Sequence, residues 1–230
     1  VLFTANTSVP NMMEALFTGK EALAANREEV KNTPAYRKSL PQGNNNAESK
    51  IGKSFMPPAF SVTVRPTLES YKGIKLFGRT IVDYEGSIPP DEVKLVENGV
   101  LKDLIRNRVP STKAAVASNG HQRQVITMSG IFSNLEPGVV FFTSSDTKTN
   151  AELKKQMLAA VRGKGLDFAI MVKPALADVT QAPEAYYKVA VADGSETLIR
   201  PLGVESAGGK LINHVAACSN QELVVNTMGS

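Results

Sequence analysis

Apolar and polar positions follow two periods along this chain. From Ser61 to Arg65 every second residue is apolar, with Val62 and Val64 ahead of Pro66. That period of two predicts a half-buried strand. Val93-Lys94-Leu95-Val96 and Val100-Leu101-Lys102-Asp103-Leu104-Ile105 flank Glu97-Asn98-Gly99. Asn-Gly readily takes the positive φ values of a two-residue turn, so the spacing predicts a tight hairpin there. Val139–Thr143 and Leu166–Val172 read as further strands, the second of them buried. Tyr186–Ala192 and Thr197–Arg200 are expected to pair across Asp193-Gly194 as a second hairpin. The period changes to the helical one from Asn150 to Arg162. There Leu153, Met157, Leu158 and Val161 fall on one side, and Gly163 ends the run. Good helix formers fill Gly19–Asn32 before Pro34 and predict another helix. A third, short helix over Pro10–Gly19 follows the apolar Val1-Leu2-Phe3.

Hairpins, nonlocal strands and only a few helices do not make alternating β/α units. The expected class is α+β, rich in mixed and antiparallel sheets. One domain from Val1 to Ser230 is the simplest division. The polar stretch Thr33–Lys53, centred on Gln42-Gly43-Asn44-Asn45-Asn46, is expected to be a mobile surface loop within it.

Composition narrows the picture. The chain has 230 residues, enough for a substantial core, and its 42% hydrophobic content is ordinary for a globular protein. No apolar run is long enough to cross a bilayer, and no membrane partner is expected. A single cysteine, Cys218, excludes an internal disulfide framework and fits a reducing compartment, so the expected location is the cytoplasm. The net charge is +4, but the 26 Lys and Arg residues are scattered without a basic run. Binding to phosphate backbones calls for clustered charge, so no nucleic-acid partner is expected.

Four blocks stand in a distinctive order: Phe60-Ser61-Val62-Thr63-Val64, Asp83-Tyr84-Glu85-Gly86-Ser87-Ile88-Pro89, Leu95-Val96-Glu97-Asn98-Gly99-Val100-Leu101, and Ser118-Asn119-Gly120-His121-Gln122-Arg123. With them the chain resembles the C-terminal domain of the TldD/PmbA family, peptidase-like proteins once named modulators of DNA gyrase. The resemblance is best from Ser61 to about Ala217 and implies that the chain is part of a longer, two-domain protein. In the TldD branch the metal helix reads His-Glu-x-x-x-His. Met13-Glu14-Ala15-Leu16-Phe17-Thr18 occupies that register, so Met13 and Thr18 stand where the resemblance implies histidines. The PmbA (TldE) branch also lacks them, and the chain is more similar to that branch.

Site expectations follow from the resemblance and from the residue types. Glu14 is the one catalytic candidate, a vestigial one, because zinc needs imidazole, thiolate or carboxylate donors and gains little from a thioether and a hydroxyl. No metal or other cofactor is therefore expected, with zinc as the alternative. His121, Arg123 and Asn119 lie in a segment that the family places near its cleft, and are the expected substrate-binding residues, set against a plain solvated loop histidine. Cys218 falls out of register with the family's Gly-x-Cys-Gly-Lys-like motif and reads as a buried structural thiol, and His214 as a structural histidine at a strand start. Asp83 and Glu85 read as carboxylates that order a turn. The implied function is a non-catalytic or partner-dependent subunit in peptide binding or processing, acting on a peptide or protein. Its expected assembly is a homodimer or a heteromer with a TldD-like paralogue. An active metallopeptidase with atypical ligands, and a structural domain of a larger assembly, stay open as alternatives.

Overall fold

The computed structural model describes residues 1–4, 7–17, 23–25, 47–108, 117–127, 130–175, 184–200 and 213–226. In chain order the elements are β1 (Leu2–Phe3), α1 (Ser8–Phe17), a 3-10 turn (Ala47–Lys50), β2 (Phe60–Val64), β3 (Ser70–Tyr71), β4 (Ile74–Lys75), β5 (Val93–Glu97) and β6 (Val100–Leu101). They continue with β7 (Gln122–Thr127), β8 (Gly130–Leu135), β9 (Val140–Ser144), β10 (Thr147–Lys148), α2 (Asn150–Gly163), β11 (Phe168–Pro174), β12 (Glu184–Ala190), β13 (Glu196–Ile199) and β14 (Cys218–Ser219). The expected α+β class holds.

Two four-stranded sheets carry most of this architecture, one in the order β6-β5-β2-β9 and one in the order β1-β11-β12-β13. The first is antiparallel throughout. The second is mixed, because β1 runs parallel to β11. The alternation read from Ser61 to Arg65 is realised in β2. Phe60, Val62 and Val64 are at most 1% exposed and face the core, while Ser61 and Thr63 turn the other way. Leu95, Val96, Leu101, Leu104 and Ile105 close over them, joined by Ala15 and Leu16 of α1. Phe142 of β9 stacks on Phe60 with ring centroids 5.3 Å apart. Such offset aromatic packing adds to the plain burial of area.

The Asn98-Gly99 hairpin forms as the spacing predicts. Glu97 pairs with Val100, and the two turn residues have φ of 49° and 78°. The turn is also docked. The Gly99 amide donates to the Phe60 carbonyl at 2.8 Å, while the Phe55 and Met56 amides donate to the Gly99 carbonyl at 2.8 and 3.1 Å. A side chain there has no room, because a Cβ on Gly99 would stand 2.5 Å from the Met56 carbonyl oxygen. The second hairpin pairs β12 with β13 over Val191–Ser195, a wider loop than a two-residue turn, with Val189 opposite Glu196.

Helix α2 begins in a capping box: Thr149 accepts from the Glu152 amide and Glu152 caps the Thr149 amide in return. Leu153, Met157, Leu158 and Val161 are its half-buried side, as the helical period predicts. The strand expected at Leu166 starts at Phe168 instead. Leu166 and Phe168 are exposed, and only Ala169, Met171 and Val172 of that stretch are buried.

Two other expectations change. The helix over Gly19–Asn32 cannot run through residues 23–25, which are extended. Ala24 forms a parallel bridge with Ile105, the Leu23 amide donates to the Leu16 carbonyl, the Ala25 amide to the Ile105 carbonyl, and the Ile105 amide to the Leu23 carbonyl. Leu23 is wholly buried by that pairing, and tertiary burial overrides helix propensity. The remainder of that stretch lies outside the described residues. So do residues 33–46 of the expected mobile loop; its end at Ala47–Lys50 is a 3-10 turn with Ala47 buried. Among the described residues no helix is long and apolar enough to cross a membrane.

Stability should register the docked turn. Gly99→Ala is expected to cost about 2 kcal/mol or more, because it adds backbone strain to a clash with the main chain. Gly194→Ala, at φ 73° but with nothing nearer than 3.8 Å, should cost only the strain, about 1 kcal/mol. Urea denaturation of both variants makes the comparison, and equal losses would refute the docking argument.

Candidate functional site

Helix α1 presents the first group of candidates. Its start is tied to the second sheet: the Thr4 amide donates to the Val172 carbonyl at 2.9 Å, and the Thr7 hydroxyl donates to the Thr4 carbonyl at 2.7 Å. Asn11 then donates to the Thr7 carbonyl at 2.8 Å and to Glu184 on β12 at 3.0 Å. Glu184 accepts a second hydrogen bond, 2.6 Å, from the Tyr186 hydroxyl, and that bond pushes Tyr186 up to about 12. Ala15 and Leu16 anchor the helix in the core, which turns Glu14 to the exposed side and leaves Met13 half-buried. Thr18 lies outside the described residues. The Asn11–Glu184–Tyr186 link was not foreseen. Its signal in the sequence is the two-residue spacing of Glu184 and Tyr186, which puts both on one face of a strand.

The second group surrounds the stretch from Asn119 to Arg123. Asp83 is buried, and its carboxylate is taken by three backbone amides: Glu85 at 2.9 Å, Ser87 at 2.8 Å and Gln122 at 3.1 Å. Glu85 accepts from the Arg108 amide at 2.6 Å. The Asp-x-Glu-Gly block thus orders a turn and ties it to two other segments, as its residue types suggested. Asn119 works in the same way. Its side-chain oxygen accepts the Arg106 amide at 2.6 Å and its nitrogen donates to the Leu104 carbonyl at 2.8 Å. Asn107 and Gln122, both buried, share a 2.6 Å hydrogen bond beside it. Neither residue stood out in the sequence, since an isolated amide pair has no spacing to reveal it.

His121 corrects the expectation of a solvated loop histidine: it is 1% exposed. The loop's polar residues are spent on backbone amides, and the ring fills the space they enclose. Its Nδ1 lies 2.9 Å from the Asn119 side-chain oxygen, which can only accept, so Nδ1 carries the proton. Nε2 has no hydrogen-bond partner among the described residues. Burial pushes the imidazole down from 6.5 to about 4; the hydrogen bond at Asn119 opposes this, and the charge of Arg123 adds to it. Arg123 is half-buried and donates from Nη2 to the Gly78 carbonyl at 3.0 Å.

The other two expectations divide. His214 is an exposed turn residue, not a structural one, because the strand that follows starts only at Cys218. Cys218 packs against the main core as a half-buried thiol that burial pushes up. Among the described residues no group of three or more His, Cys, Asp and Glu is placed to hold a metal ion.

The family model of the PmbA/TldA metallopeptidase C-terminal domain matches residues 25–179, about two thirds of the sequence. The chain belongs to this family. The PmbA/TldD match takes in the Asp-x-Glu-Gly turn, the Asn98-Gly99 hairpin and the Asn119–Arg123 segment, and begins after α1. Among solved structures the chain is similar to a candidate modulator of a DNA gyrase from Thermotoga maritima, with 18% identity, a TM-score of 0.48 and coverage of 78% of this chain and 38% of that one. It is also similar to TldE from Thermococcus kodakarensis, at 16% identity and a TM-score of 0.48 over 84% of this chain and 40% of that one. A third likeness is to a candidate modulator of DNA gyrase from Bacteroides thetaiotaomicron, at 14% identity and a TM-score of 0.42 over 74% and 34%. The chain therefore spans well under half the length of these proteins. No curated protein matches it.

Acid should destabilise the fold through His121. The folded-state value lies below the ordinary one, so the unfolded chain takes up the proton first. Stability from this group is whole above pH 6.5, falls as pH drops toward about 4, and changes no further below that. The full loss is about 3 kcal/mol. Urea unfolding at pH 7 and pH 4 should therefore show a smaller pH loss in His121→Asn than in the wild type. Parallel profiles would show that the imidazole is not held neutral by burial.

Proposed function

We propose that this PmbA/TldD-family domain acts in peptide binding or processing by association, as a non-catalytic or partner-dependent subunit without a working zinc site. The observation that carries the reading is the donor chemistry of α1. Glu14 stands on the exposed face of the helix, and its neighbour in the register of the family's first histidine is Met13. Thr18, read from the sequence, occupies the second position. A thioether and a hydroxyl do not fit a zinc site that asks for imidazole, thiolate or carboxylate. A glutamate acts as base in such sites on a metal-bound water, whose proton the ion has loosened. The two histidines elsewhere do not repair the set: one is enclosed among backbone-capping amides and the other lies in an exposed turn.

A framework kept without a metal's donors still offers a binding surface, since surface and chemistry are separable features of a fold. The partner this implies is a peptide or protein substrate, with assembly as a homodimer or with a TldD-like paralogue that carries the intact histidine pair. Nucleic acid is a poor fit, because the 26 Lys and Arg residues are scattered along the sequence and binding phosphate backbones calls for clustered charge. Among the described residues no helix is long and apolar enough to cross a membrane.

Purified protein should carry no stoichiometric zinc after dialysis, and should cleave no peptide with or without added zinc. Elemental analysis and a peptide-cleavage assay with a chelator control measure both. Chelator-sensitive turnover that disappears in Glu14→Gln would overturn the proposal and make the chain a metallopeptidase with atypical ligands.

A further inference from the structure

Large apolar side chains are concentrated on one exposed stretch. Phe77, Ile81, Val82, Tyr84 and Ile88 lie within twelve residues and are 53–79% exposed. Scattered exposed apolar residues are ordinary, but a cluster this dense marks an interaction surface. Three contacts hold the stretch to the start of β7. The Gly78 carbonyl accepts from Arg123, the Tyr84 amide donates to the Gln122 carbonyl at 3.0 Å, and Pro89 abuts Gly120 so closely that a Cβ there would meet its Cα at 2.7 Å. These contacts tie the stretch to the segment that carries Arg123.

Arg123 is unusually placed for a cation. It is half-buried, and among the described residues its one hydrogen bond goes to the neutral Gly78 carbonyl. Two carboxylates act on its charge, Glu136 more strongly than Asp83, but among the described residues neither is hydrogen-bonded to it, and Asp83 is already occupied by three amides. A guanidinium has five N–H donors in a fork that matches a carboxylate, and most of this fork is unspent. Two other arginines meet that need locally: Arg65 holds Glu92 through two nitrogens, at 2.9 and 2.8 Å, and Arg106 pairs with Asp103.

We propose that the Phe77–Ile88 stretch and Arg123 form a docking site for a polypeptide segment that carries apolar side chains around one carboxylate. This rests on the reading of the domain as a peptide-binding subunit and names what that subunit prefers. The apolar residues supply area, and Arg123 supplies the discriminating contact. A second copy of the chain fits less well, because a two-fold contact through this surface would bring two Arg123 cations to the same patch.

The test uses the full chain and two acetylated, amidated peptides, Leu-Ser-Leu-Ser-Glu-Ser-Leu-Ser-Leu and its Gln twin, titrated calorimetrically at low salt. The Glu peptide should bind at least tenfold more tightly than the Gln twin. Arg123→Gln should erase that ratio, whereas Phe77→Ser and Ile88→Ser should weaken both peptides alike. Should Arg123→Gln fold poorly, Arg123→Lys should keep the charge and part of the ratio. Equal binding of the two peptides, binding of neither, or a ratio that survives Arg123→Gln overturns the proposal. So does self-association that Phe77→Ser abolishes. None of these outcomes bears on zinc or turnover, so failure here is separable from failure of the non-catalytic reading.

Discussion

Strand β2 is the constraint on which the other elements depend. Its three core residues, Phe60, Val62 and Val64, are sealed between β5 and β9, and every neighbouring element is positioned by covering them. Full burial of such side chains contributes about 1.5–3 kcal/mol each, before the packing of Phe142 on Phe60 is added. The same strand disciplines the hairpin beside it. Asn98 donates its amide to the Ser61 hydroxyl at 3.0 Å and Gly99 donates to the Phe60 carbonyl, so the turn is held against β2 and its approach. Gly99 is required twice over, by its φ and by the Met56 carbonyl pressed against it.

Around Asn119–Arg123 the governing principle is different. Irregular backbone loses its ladder partners, and a buried amide without one is costly. Asp83, Glu85 and Asn119 replace those partners with side-chain oxygens, and Asn119 adds its side-chain nitrogen. The result is a rigid join of three segments with a neutral imidazole enclosed in it. Chemistry-bearing residue types here serve architecture, and among the described residues Arg123 spends one hydrogen bond, on the Gly78 carbonyl.

That division bears on how the family scaffold is used. Residues 25–179 take in the core strand β2 together with side chains that cap backbone, those of Asp83 and Asn119, and the tight Asn98-Gly99 turn. They preserve a shape. The metal-site register on α1 depends on no such capping: Glu14 faces outward, and the helix is anchored by Thr7, Asn11, Ala15 and Leu16.

Local pattern alone determined the strands at β2, β5 and β9, the Asn98-Gly99 turn and helix α2, because each is written in a short period or in a residue type that one backbone geometry demands. The role of Asp83 and Glu85 was legible for the same reason, since an Asp ahead of Glu-Gly caps its own turn. What only the tertiary structure decided involves partners far apart in the chain. Leu23–Ala25 gave up helix for pairing with Ile105, eighty residues on. His121 went inside because Asn119 and Asp83 satisfied the amides around it, and Glu184 found Asn11 across the sheet. Periodicity reports which face of an element is apolar. Which distant polar atom will meet a buried amide is set when the elements pack, and no local pattern carries it.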